Sequence, residues 1–240
     1  MRYLVTISYD GSNFFGFQRL KNKRSVQDEI EKVLKIINKK KVEIKGAGRT
    51  DKGVHAYGQR AHFDLDIDIP KDRLLKAMND SLPNDIRITN IEEVDNEFHA
   101  RFSVKKKIYQ YKINLGEYDP LLNNYYYQFD YKIDMNKLNK AKELLIGEHN
   151  FKNFVSGERD NYDAVIYDII LEEKKKILTI TFEGKSFYRY MVRNMVGAML
   201  DVATGKQTLD SLREMLDNVK VVKQMSCAPA QGLYLLKIYY

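Results

Sequence analysis

One cysteine, Cys227, stands in 240 residues. That excludes an internal disulfide and any zinc site built on cysteines, and it makes a reducing compartment the natural home. Cys227 itself reads as a packed thiol. The four histidines, His55, His62, His99 and His149, lack the His-Glu-x-x-His spacing that puts two ring nitrogens on one helix face, so no metal is expected. Nowhere do about 18 apolar residues run together, and Met1 to Ser8 pass straight into a strand pattern without the apolar stretch of a signal peptide. A soluble, cytoplasmic protein with no membrane contact is expected. Low-complexity segments and long Pro/Gly/Ser linkers are lacking too.

Two glycine-loop chemistries are also excluded. Gly48 and Gly53 have P-loop spacing, but Val54 and His55 follow where Lys and Ser/Thr are needed to hold phosphates. From Gly46 and Gly48, the third glycine of a dinucleotide fingerprint would fall where Asp51 stands.

What is present is a core and a basic surplus. Hydrophobic residues make up 44% of the chain, enough for one large or two small domains. Lys+Arg 40 against Asp+Glu 33 leaves a net charge of +7, which favours an anionic partner such as nucleic acid.

Hydrophobic periodicity gives the elements in order. Tyr3 to Tyr9 alternates as a strand, and Ser25 caps a helix whose stripe is Val26, Ile30, Val33, Leu34 and Ile37. Val42 to Lys45 reads as a short strand, the alternation around Ala61, Phe63 and Leu65 as another. A helix follows Pro70, and Ile86 to Val94 is again a strand. Then the order repeats. Lys107 to Leu115 is a strand, Asp134 caps a helix that ends at Gly147, and Val165 to Glu172 with Ile177 to Phe182 forms a hairpin across Lys174 and Lys175. A long helix is expected from about Phe187 to Ala203, a shorter one from Thr208, and a closing strand from Gly232 to Tyr239. Two βαββαβ units predict an α/β (α+β) fold of two ferredoxin-like halves, residues 1–103 and 104–240, with mainly antiparallel sheets flanking a central basic cleft.

The candidate chemistry centres on Gly46-Ala-Gly-Arg-Thr-Asp-Lys-Gly-Val-His-Ala56. Three glycines let the loop fold tightly and present Arg49 and Asp51 together. A carboxylate serves as nucleophile or base without a cofactor, and a guanidinium nearby keeps it ionised; a loop aspartate capping its own turn is the plainer reading. Arg193 falls on the apolar long helix with Arg189 four residues before it, and if buried there it needs an anion. Tyr109, Tyr111 and Ile113 share one strand face, where a tyrosine either fills the core or stacks on a base. Arg19, Lys21, Lys23 and Arg24, which follow the Phe14, Phe15 and Phe17 segment, and Lys105 and Lys106 form a candidate phosphate-tracking face; solvated turns are the alternative.

These blocks resemble the tRNA pseudouridine synthase A family. Besides the glycine loop, the likeness takes in Phe15-Gly-Phe-Gln-Arg19 with Ser25-Val-Gln27, Leu82-Pro83, Phe98-His-Ala-Arg-Phe-Ser103, Tyr109-Gln-Tyr111, Met191-Val-Arg-Asn-Met-Val-Gly197 and Ala228-Pro-Ala-Gln-Gly-Leu-Tyr-Leu235, in family order. Phe17 stands where the family often has Trp, and Lys107-Ile108 replaces a commoner arginine-containing pair. The resemblance implies that Asp51 is the catalytic aspartate, that Arg49 helps displace the target base, that Tyr109 stacks on the uracil, that Arg193 pairs with Asp51 and that Leu233 lines the pocket. It implies a cofactor-free homodimer that isomerises uridines 38, 39 and 40 in the tRNA anticodon stem-loop. A catalytically inactive RNA-binding module, or a paralogue acting on another RNA such as rRNA, is the competing expectation; a phosphotransferase fails with the P-loop pattern.

Overall fold

A computed structural model of the protein describes residues 1–217 and 226–240. The described chain forms two compact units, Met1–Lys105 with Tyr234–Tyr240, and Lys106–Leu233.

The first unit runs β1 (Arg2–Tyr9), α1 (Val26–Asn38), β2 (Lys45–Gly46), β3 (His55–Asp64), α2 (Lys71–Ser81) and β4 (Ile86–Val94). β1 lies between β3 and β4, antiparallel to both, and β2 pairs with β3 at Lys45↔His62 and Gly46↔Ala61. The order β4-β1-β3-β2 is that of a ferredoxin-like βαββαβ unit. Ser25 caps α1 by accepting the Asp28 N–H, an interaction worth about 1 kcal/mol, and Val26, Ile30, Val33 and Leu34 are buried.

Between α1 and β2 the expected strand from Val42 is cut to two residues. Glu31 of α1 accepts the Ile44 N–H at 3.0 Å, and Gln27 donates to the Ile44 carbonyl at 3.2 Å. Helix side chains thus take the backbone groups that a partner strand would otherwise satisfy.

The second unit runs β5 (Lys106–Asn114), β6 (Tyr127–Gln128), α3 (Met135–Leu145), β7 (Gly147–Asn150), β8 (Asp163–Lys174), β9 (Ile177–Gly184), α4 (Met191–Ala203) and α5 (Leu209–Leu216). β5, β9, β8 and β7 pair antiparallel in that order, and β6 joins β5 in parallel. The β8–β9 turn is Lys175 and Lys176, both with positive φ, one residue later than the alternation suggests. Asp134 caps α3 through the N–H groups of Asn136 and Lys137, and α3 packs on α4 and α5.

The long helix is shorter than expected. Tyr190 is left-handed, φ +63°, so α4 starts at Met191, and Arg189 precedes the helix instead of sharing a flank with Arg193. The closing strand β10 (Leu233–Tyr239) also differs from its assignment to the second half: from Tyr234 it groups with the first unit. It pairs in parallel with β3 at Tyr234↔His55 and Leu235↔Ala56, and its end accepts the Lys105 N–H. Neither pairing is legible from local periodicity. Among the described residues no helix is long and apolar enough to cross a membrane.

Candidate active site

In the first unit the Asp51 loop is held from below and from one side. Below it, the hydroxyls of Tyr9 on β1 and Thr50 meet at 2.8 Å in a buried setting. Burial pushes the Tyr9 phenol far above its ordinary range, so it stays a neutral hydrogen-bonding group. Gln59 on β3 donates to the Gly48 carbonyl at 3.0 Å, and Ala47 donates to Arg60 at 2.7 Å.

From the side come residues 10–17. Phe17 N–H donates to the Thr50 carbonyl and Gly53 N–H to the Phe14 carbonyl, both at 3.3 Å. The two backbones come so close at Gly16, φ +96°, that a Cβ there would lie 2.4 Å from the Thr50 oxygen. His55 closes the loop by accepting the Gly11 N–H on Nδ1 at 3.0 Å. Gly53 is left-handed, φ +80°, and Val54 N–H bonds back to the Asp51 carbonyl at 3.2 Å, which makes the turn that carries the carboxylate. Asp51 is half-buried and Arg49 exposed.

Aromatic residues here divide by role. Phe14 and Phe17 are core, whereas Phe15 is 37% exposed with the ammonium groups of Lys23 and Lys52 at 4.6 and 4.5 Å from its ring centre.

In the second unit Tyr109 sits on β5 opposite Phe182, 7% exposed, with its ring edge-on to Phe187 at 5.1 Å. Its face neighbours Tyr111 and Ile113 are fully buried, and Tyr111 donates to the Pro229 carbonyl at 2.6 Å. Burial holds the Tyr111 phenol well above its usual range, with Arg193 pulling the other way. Arg193 lies half-buried in the first turn of α4, its Nε donating to the Ala228 carbonyl at 2.7 Å and its guanidinium 4.8 Å from the Tyr190 ring. Leu233 is buried at the end of this unit, after Gly232, where the Tyr111 ring leaves no room for a Cβ.

The candidate RNA-binding cations are not equally available. Arg24 makes a two-pronged pair with Asp85 at 2.7 and 2.9 Å, Arg19 pairs with Glu31, and Lys106 reaches Glu183 at 2.8 Å. Lys21, Lys23 and Lys105 are exposed. Arg19, Lys21, Lys23 and Arg24 border an open cavity of about 750 Å³ that Asp28 and Glu29 also line. Cys227, expected as a packed thiol, is exposed. Among the described residues no three His, Cys, Asp or Glu side chains converge as metal ligands.

Sequence reasoning did not single out Tyr9, Thr50 or Gln59 as the loop's supports. Only Thr50 carried a signal, through its place between Arg49 and Asp51.

The chain matches the family described as tRNA pseudouridine synthase over residues 5–103 and 141–240. It is 42% identical over 243 residues to a protein named tRNA pseudouridine synthase A from Geobacillus sp. (strain WCH70), covering 100% of this chain and 98% of the relative. The Thermosipho melanesiensis protein of that name is 40% identical over 242 residues, covering 100% of this chain and 99% of the relative, and the Listeria welshimeri one is 42% identical over 247 residues with the same coverage. Matched along nearly its whole length, the chain belongs to the tRNA pseudouridine synthase family.

Proposed function

We propose that this chain is an RNA-modifying isomerase that converts uridine to pseudouridine in the tRNA anticodon stem-loop, at positions 38, 39 and 40. It does so as a cytoplasmic homodimer, with no metal or cofactor. The observation that carries the reading is the Arg49-Thr50-Asp51 loop itself, kept whole and braced by Tyr9, Gln59 and the backbone of residues 14–17. A turn that only reversed the chain would not need a buried hydroxyl pair beneath it. Full-length identity to proteins named tRNA pseudouridine synthase A supports the substrate; the family resemblance supports the positions and the dimer.

The roles are those that the family resemblance implies for these residues. A uridine in a paired stem is out of reach, so the nucleotide leaves the stack before reaction. Arg49, exposed beside Asp51, fills the vacated place. Tyr109 offers its ring to the uracil, and Leu233 offers apolar surface. Asp51 then assists cleavage of the C1′–N1 bond, by attack on the nucleoside or by taking a ribose proton to give a glycal. The freed uracil turns and joins C1′ through C5; C5 loses its proton and N1 gains one, so the sum is an isomerisation. Arg193 supplies the positive charge that keeps Asp51 ionised.

The test uses unmodified tRNA, the purified protein and a chelator, followed by pseudouridine-selective chemical adduction and primer extension. Stops at positions 38 to 40 are expected. An absence of stops, with RNA binding intact, would leave a catalytically idle RNA-binding module, and stops elsewhere would mean a retargeted paralogue.

A further inference from the structure

Arg193 is held by a backbone strap. Its Nε donates to the Ala228 carbonyl at 2.7 Å, and the Ala228 N–H donates back to the Arg193 carbonyl at 3.1 Å. A planar guanidinium fixed at Nε has its two outer nitrogens aimed as a fork, so the position of residues 226–229 sets the direction of that fork.

The strap is fastened farther along α4. Ser226 donates through Oγ to Asp201 Oδ1 at 2.8 Å and through its backbone N–H to Asp201 Oδ2 at 3.1 Å. Lys206 reaches Asp201 Oδ1 at 3.2 Å and Ser226 Oγ at 2.7 Å. Between the two anchor points, the Ser226 carbonyl lies so close to the helix that a Cβ on Gly197 would be 1.5 Å from it. Arg193, Gly197 and Asp201 follow at intervals of four and share one face of α4. At the strap's far end, Tyr111 donates to the Pro229 carbonyl at 2.6 Å.

Asp201 is a costly residue for this place. It is 5% exposed, and a buried carboxylate is tolerated only when its oxygens are fully engaged. Here the strap and Lys206 engage both oxygens.

We propose that Asp201 and Ser226 are positioning residues: their clamp holds the 226–229 strap flat on α4, and the strap's Ala228 carbonyl aims the Arg193 guanidinium for the reaction. The proposal rests on the reading of Arg193 as the charge partner of the catalytic carboxylate.

The test measures kcat and KM with unmodified tRNA, well below each variant's melting transition. Asp201→Ala should lower kcat by roughly tenfold and Ser226→Ala by roughly threefold, with KM changed less than about twofold. Arg193→Lys has no Nε for the strap to hold, so in that background Asp201→Ala should cost less than about twofold. Equal losses in the wild-type and Arg193→Lys backgrounds, or lowered melting temperatures with kcat unchanged, would make the clamp merely structural and overturn the proposal. If Asp201→Ala does not fold, Ser226→Ala decides by the same criteria, since it removes one hydroxyl from a half-exposed position. Arg193→Met separates the two readings. Near-normal turnover there defeats the role of Arg193 and the clamp with it, whereas an inactive Arg193→Met beside a fully active Asp201→Ala defeats the clamp alone.

Discussion

The hydroxyls of Tyr9 and Thr50 meet at 2.8 Å under the turn that carries Asp51. Both are buried, so losing the Tyr9 hydroxyl takes from Thr50 a hydrogen bond that stands in for water, at a cost of about 1–3 kcal/mol. Tyr9→Phe should therefore lower stability by about that amount in urea unfolding. It should also cost turnover, on the order of tenfold or more, because the freed loop no longer holds its carboxylate in one place. Loss of stability with unchanged turnover would mean that the pair braces the sheet and not the site.

Asp51→Asn retains size and the backbone turn while removing nucleophile and base together. Folding and tRNA binding should stay normal, and no isomerisation should be detected after single-turnover incubation. A substantially active variant would take the chemistry away from this side chain.

Much of this was written in local sequence, and the rest was written in pairings between distant residues. Ser25 and Asp134 declare helix starts, because a cap needs only its own next turn. The alternation of Tyr3 to Tyr9 and of Tyr109 to Ile113 gives strands and their inward faces. Several expectations failed for non-local or conformational reasons. The Val42 strand is pre-empted by side chains from α1, the long helix is delayed by left-handed Tyr190, and β10 goes to the first unit through its parallel pairing with β3. The basic face shows the same limit: that Arg24 is committed to Asp85, and Lys106 to Glu183, depends on partners 61 and 77 residues away.

That commitment separates two kinds of cation. Lys21→Ala with Lys23→Ala should weaken tRNA binding and lower the slope of log affinity against log salt by about 1–2, since each phosphate contact contributes roughly 0.7–0.9. Arg24→Ala should mainly lower the melting temperature by breaking its pair with Asp85. Affinity measured between about 50 and 200 mM salt distinguishes them; an unchanged slope in the double lysine variant would remove this loop from the RNA path.

His62 gives the fold an acid limit. It is 2% exposed on β3, accepts the Ala100 N–H on Nδ1 at 3.1 Å, and has the His99 ring edge-on at 4.7 Å. Burial first, then the positive charges of His99 and Arg2, lower its pKa to about 4; Asp64 pulls the other way, and Lys45 adds the smallest push downward. A base whose folded pKa lies below its unfolded value of about 6.5 is neutral in both states at neutral pH, so it imposes no penalty there. As pH falls from about 6.5 to about 4, the unfolded chain binds a proton that the folded one refuses, and stability drops by at most about 3 kcal/mol. Asp64 is held below its ordinary range by Arg2, so its own loss falls at lower pH and does not overlap this window. His62→Asn retains a short acceptor near the Ala100 N–H without the titration. Urea unfolding at pH 7, 6 and 5 should show a steep loss in the wild type and a shallower one in the variant; parallel slopes would assign the acid sensitivity to other groups.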